Sequence, residues 1–172
     1  MTYLKKNGVK VQAGHCMGWS YKVDGATHVF NAMSGINHHL ESTALKALVS
    51  DDIYTEIIAD GLHVNDDCLK LLFKSKPKDK IILISDALPI TGSDVKESEF
   101  ADSKIFYDGV SAVSAEGTLA GSTKLLPDII KILIRNKLFI PKLVENTYEY
   151  HGIKPKGEIT WDDEGNIVKI EE

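Results

Sequence analysis

Ile81-Ile82-Leu83-Ile84-Ser85-Asp86-Ala87 decides how this chain is read. Four consecutive apolar residues bounded by polar ones make a short strand buried on both faces, as in parallel sheets. The run ends in a carboxylate. The same layout recurs upstream: Tyr54–Ala59 leads into Asp60-Gly61-Leu62-His63, Thr27–Phe30 is expected as a second short strand carrying His28, and Val9–Ala13 leads into Gly14-His15. Parallel barrels place chemistry at the C-terminal ends of successive strands in this way.

The intervening segments fit crossover helices. Ser42–Val49 has helical spacing with Leu45, Leu48 and Val49 as the expected apolar side. Asn65 reads as an N-cap followed by Asp66 and Asp67, where the helix dipole favours acid. Strands alternating with helices argue for βα units. The pattern changes after Pro89. Ser103–Tyr107 and Val110–Val113, joined by Asp108-Gly109, predict a hairpin, and Lys124–Arg135 a strongly apolar helix. A second hairpin is expected at Asp163-Glu164-Gly165-Asn166, and Thr2–Asn7 reads as a helix stopped by Gly8.

The fold class expected is therefore α/β. It is a partial TIM-like (β/α)8 barrel of about four βα units, followed by a β-hairpin, a helix and a short β tail. A full barrel needs about 250 residues, and the chain has 172. Residues 1–145 are expected to form the barrel portion, with the hairpin inserted at about 100–118. Residues 146–172 form the tail, a remnant of a small β domain. The sheet would have open edges, which invite a second polypeptide or a second copy of the chain.

Composition sets the class. Hydrophobic content of 43% and charged content of 26% are ordinary for a globular protein. A net charge of −5 with no basic stripe argues against a nucleic-acid partner. Cys16 and Cys68 form no disulfide framework and suit a reducing cytoplasm. No run has the length of a membrane span.

The blocks Gly14-His15, Thr27–Met33, Ile58–Val64, Ser85–Ala87 and Gly117–Ser122 stand in an order that resembles the N-acetylglucosamine-6-phosphate deacetylase family of the amidohydrolase superfamily. The likeness runs from Tyr3 to about Asp162 and covers only the C-terminal half of such an enzyme. It implies amide hydrolysis of an amino-sugar phosphate to glucosamine 6-phosphate and acetate. The alternative is a non-catalytic remnant, or a sugar-phosphate binding fragment that needs a partner half.

The resemblance also assigns roles. His15 and His28 would be ligands of one divalent metal, zinc or iron. Two imidazoles plus a carboxylate leave a position open for water. The third ligand, a glutamate, comes in the family from an earlier strand that this chain does not contain. Asp86 would be the general acid and base. Asn31, Ala32, Asp60, Gly61, Leu62, His63, Leu119, Ala120 and Gly121 would contact substrate, the last three close to a helix beginning near Ser122. His39 stands where the family carries a phosphate-binding arginine, and it offers one hydrogen bond in place of a bidentate fork. The Cys16–Ala26 connection is shorter than the family's, holds no good helix, and is expected to move His15 relative to His28. Outside these blocks, His151 reads as a surface residue. The partners implied are a small amino-sugar phosphate and either a second copy or a missing N-terminal half.

Overall fold

The computed structural model describes residues 2–172. Its centre is a parallel sheet in the order β1 (Gln12–Ala13), β2 (Gly25–Ala26), β3 (Tyr54–Ile58) and β4 (Ile81–Ile84). The alternation of β3 and β4 sorts two faces. Ile57, Ala59, Ile81 and Leu83 join one hydrophobic core with Ala44, Leu48, Leu69, Leu72, Leu133 and Leu143. The other face carries polar groups: Gln12 Nε2 donates to Glu56 Oε1 at 2.7 Å, and Thr27 Oγ1 donates to Gln12 Oε1 at 3.1 Å.

Helix α1 (Thr2–Lys6) ends where expected, with Gly8 in the left-handed region at φ 73°. Its Lys5 pairs with Asp24 at 2.8 Å, and Asp24 also accepts from Val11 N–H. Helix α3 (Asp66–Ser75) is capped by Asn65, whose side chain accepts from Cys68 N–H at 2.9 Å.

Helix α2 (Thr43–Val49) differs from expectation in its face. Thr43, Ala44, Ala47 and Leu48 are buried, while Leu45 and Val49 face solvent. Positions 44, 47 and 48 follow the helical repeat, with two alanines on the buried side. The expected strand at Thr27–Phe30 is also corrected: β2 stops at Ala26, and the chain then turns through positive φ at His28 and Phe30. Buried Val29 reads like strand, yet burial alone does not separate a strand from a tight buried turn. No helix joins β1 to β2. Trp19 packs on the core, and its carbonyl accepts from Lys46 Nζ at 2.6 Å.

After β4 comes an antiparallel sheet of β5 (Glu97–Phe100), β6 (Ser103–Tyr107), β7 (Ala112–Ser114) and β8 (Leu119–Gly121). The expected hairpin is its middle pair, and the outer strands were not foreseen. Helix α4 (Leu126–Arg135) follows. Helix α5 (Lys142–His151) was also unforeseen: its buried side is Leu143, Asn146 and Tyr150, so a polar residue interrupts the apolar pattern. Asn146 Nδ2 donates to the carbonyls of Lys78 and Ile81 at 2.7 and 2.6 Å, which docks α5 at the start of β4. His151, the last residue of α5, is exposed as expected. The tail pairs β9 (Glu158–Trp161) with β10 (Ile167–Glu171). An apolar groove of about 460 Å³ between this hairpin and α4–α5 includes none of the strand-end histidines or Asp86.

Lys76 ties two helices together. It is 3% exposed, and its ammonium donates to the carbonyls of Ala47 (2.9 Å) and Ser50 at the C-terminal end of α2. Burial pushes its pKa down to about 8, against the pull of Asp51 and Asp52. Lys76→Ala is expected to cost roughly 2–4 kcal/mol, from two orphaned carbonyls and a lost aliphatic stem. Lys76→Met keeps the stem and costs less. Between about pH 8 and 10.5 the unfolded chain holds this proton and the folded chain does not. Stability of the wild type minus that of Lys76→Met therefore rises with pH across that window. Urea melts at pH 7, 9 and 10.5 check this, and a flat difference refutes it.

Candidate active site

Parallel strands bring the polar residues that follow them to one edge of the sheet. Here that edge carries His15 after β1, His28 after β2, Asp60 and His63 after β3, and Asp86 after β4. Local backbone is unusual there. Among the described residues eight non-glycine residues have positive φ, and five of them are His15 (46°), His28 (33°), Phe30 (78°), Ala32 (49°) and Asp86 (50°). Such conformations cost about 1–3 kcal/mol each and gather at functional sites.

The short β1–β2 connection does not separate the histidines. The rings of His15 and His28 lie 4.8 Å apart, edge to face at 69°. His15 is exposed; His28 is buried, and its Nδ1 has no hydrogen-bond partner. An orphaned buried nitrogen beside a second imidazole suits a metal-ligand pair. Two ligands are an incomplete set, and among the described residues no three His, Cys, Asp or Glu side chains converge as a metal site. The chain's own residues thus fit half of a centre.

Asp60 commits its side chain to the protein interior. Its carboxylate is fully buried and faces no open surface. Oδ1 accepts from the Leu62 and His63 N–H groups, each at 2.9 Å. Oδ2 meets His63 Nδ1 at 2.8 Å and accepts from Ser122 Oγ at 2.9 Å. Burial alone would raise its pKa; the bonds from His63, Leu62 and Ser122 outweigh burial and hold the carboxyl well below the usual range. An ionised carboxylate only accepts. His63 Nδ1 must therefore carry the proton, which leaves Nε2 as the free nitrogen. Asp60 thus orients His63, and any substrate contact by this residue falls to its backbone.

Asp86 is exposed at the end of the buried strand β4. Its carbonyl accepts from Ser122 N–H at 2.9 Å, and the Ser122 carbonyl accepts from Leu88 N–H at 2.9 Å. Strand β8 comes this close because Gly121 has no side chain: a Cβ there would lie 3.1 Å from the Asp86 carbonyl. Leu119, Ala120 and Gly121 therefore stand beside the Asp86 segment. The helix expected near Ser122 begins at Leu126, after a turn in which Lys124 N–H donates to Ser122 Oγ. Ser122 itself went unrecognised; its only sequence signal is its place after Gly117-Thr-Leu-Ala-Gly121.

Asn31 spends its amide locally, on the carbonyls of His28 and Val29. Ala32 is exposed. His38 and His39 lie with ring centroids 3.8 Å apart on an exposed loop, where Asn37 Oδ1 accepts from His39 N–H.

No protein-family model matches the chain. Among curated proteins it is 38% identical over 128 residues to the N-acetylglucosamine-6-phosphate deacetylase of Bacillus subtilis, covering 70% of this chain and 32% of that protein. It is 33% identical over 98 residues to the N-acetylgalactosamine-6-phosphate deacetylase of a Shewanella species, covering 57% and 25%. The crystal structure of N-acetylglucosamine-6-phosphate deacetylase from Pasteurella multocida superposes with a TM-score of 0.83 at 24% identity, over 98% of this chain and 50% of that one. The chain is similar to a C-terminal portion of the N-acetylglucosamine-6-phosphate deacetylases. It spans about a quarter to a half of these deacetylases, consistent with a C-terminal portion of the family. Among the described residues, no helix is long and apolar enough to cross a membrane.

Proposed function

We propose that this chain supplies half of a (β/α)8 deacetylase barrel, and that the completed barrel hydrolyses the acetamide of N-acetylglucosamine 6-phosphate to glucosamine 6-phosphate and acetate. The observation that carries this reading is the gathering of His15, His28, the Asp60–His63 pair and Asp86 on one sheet edge, in strained backbone. Similarity to these deacetylases over most of the chain supports it. The strand order β1-β2-β3-β4 supports the barrel, with β1 as the open edge that further strands would extend.

His15 and His28 would hold one divalent ion, zinc or iron, with a carboxylate from the polypeptide that completes the barrel. When bound, such an ion polarises a carbonyl and makes water a better nucleophile at neutral pH. Asp86 takes a proton from the attacking water and returns it to the leaving amine. His63, aimed by Asp60, presents Nε2 to the amide. Asn31, Ala32 and the Leu119–Gly121 strand bound the sugar. His38 and His39 each offer one hydrogen bond to the phosphate. Free Cys16 and Cys68 suit a cytoplasmic setting.

The test is metal content and solution mass of the chain alone, then mixed with the N-terminal part of a relative. The mixture is expected to hold about one metal per chain, to lose it in His15→Ala and His28→Ala, and to turn over the substrate. The galactosamine epimer serves as competitor. A mixture that associates and binds metal without turnover favours the binding-fragment reading, which the missing third ligand also supports.

A further inference from the structure

Ser122 touches both the Asp60–His63 pair and the segment that presents Asp86. It is 1% exposed and 62 positions from Asp60, yet its hydroxyl donates to Asp60 Oδ2 at 2.9 Å. Its peptide forms a parallel bridge with Ala87: the N–H donates to the Asp86 carbonyl, and the carbonyl accepts from Leu88 N–H. Thr91 Oγ1 donates to the same carbonyl at 3.2 Å. The residue is thus anchored rigidly on the Asp86 side and extends one hydroxyl to the His63 side.

We infer that Ser122 is a positioning residue, a clasp that fixes the Asp60–His63 pair against the segment presenting Asp86. The inference rests on the deacetylase reading for its consequence in turnover and on the hydrogen bonds alone for its geometry. Asp60 Oδ1 is held by the turn it caps, a local device within four residues. Among the described residues Oδ2 has two partners, the imidazole and Ser122. Without the hydroxyl, no other described residue outside its own loop fixes the carboxylate. The vacated space then admits water beside the shared proton of His63.

Hydrogen exchange and proton NMR of the chain decide this without any turnover. In Ser122→Ala, exchange of the His63 Nδ1 proton and of the Leu62 and His63 amides is expected to rise about tenfold, the equivalent of one hydrogen bond to a charged group. Exchange in α4 is expected to stay unchanged. Ser122→Thr keeps the hydroxyl and restores slow exchange. Ser122→Cys fills the space with a weak donor, shows the alanine pattern, and decides the matter if the alanine variant does not fold. Unchanged exchange at Leu62 and His63 in a folded alanine or cysteine variant overturns the inference. So does a rise shared equally with α4, because that is loss of global stability. In the completed barrel, kcat is expected to fall about tenfold in Ser122→Ala with KM unchanged. A wild type that never turns over the sugar phosphate sinks the deacetylase reading and leaves the exchange result standing.

Discussion

Replacing Asp60 by alanine is expected to cost roughly 3–5 kcal/mol of folding stability, because it leaves several buried donors without their acceptor. The geometry explains the size. Four donors converge on this carboxylate: two amides, an imidazole and a hydroxyl. The His63 side chain is only 6% exposed and the Asp60 side chain 0%, so water does not simply replace the lost acceptor. Each orphaned donor carries a desolvation penalty of about 1–3 kcal/mol, partly relieved by relaxation. Urea unfolding at pH 7 should show a lower midpoint with an unchanged m-value. A loss below about 1 kcal/mol would mean the loop reorganises freely, and the orienting role of Asp60 would fall with it.

The pH dependence has a definite direction. The Asp60 carboxyl ionises in the folded chain well below the ordinary 3.8. Its stabilisation is fully present above that ordinary value and fades as pH falls toward the folded value. The stability difference between wild type and Asp60→Ala should therefore hold from pH 8 to about 5 and shrink below about 4. A difference that shrinks near neutral pH would contradict this.

Much of the frame was legible because it rests on local signals. The continuous apolar run at Ile81–Ile84, the Asn65 cap and the Gly8 stop each act within a few residues, and each appears as expected. What stayed hidden depends on distant partners. Asn146 looks like a break in an apolar pattern until the Lys78 and Ile81 carbonyls arrive from 68 and 65 positions away. The α2 face was misjudged because small Ala44 and Ala47 carry weak hydrophobic weight and gain theirs from close packing. Among site residues, strand-end placement marked His15, His28 and Asp86. The full set of partners of Asp60 could not be read, because one of them is a hydroxyl 62 positions downstream.

Asp86→Asn should lower kcat of the completed barrel by roughly 10²–10⁴-fold, the usual worth of a general acid–base group, with KM little changed. Asparagine is the informative substitution. Asp86 sits at φ 50°, a region asparagine tolerates and alanine occupies only with strain. Its carboxylate is exposed, and the Ser122 bond uses the backbone carbonyl, so the amide leaves the local fold intact. Stability is expected to stay within about 0.5 kcal/mol, as for a surface change away from structural features. On the proposed role, what is lost is the ability to accept a proton from water and return it to the amine. A loss in kcat at constant KM marks an interaction made in the transition state. A rise in KM alone would make Asp86 a binding residue, and retention of more than a tenth of turnover would remove it from the proton path. His15→Ala and His28→Ala should differ in kind, losing metal along with turnover, while Asp86→Asn keeps the metal and loses only chemistry.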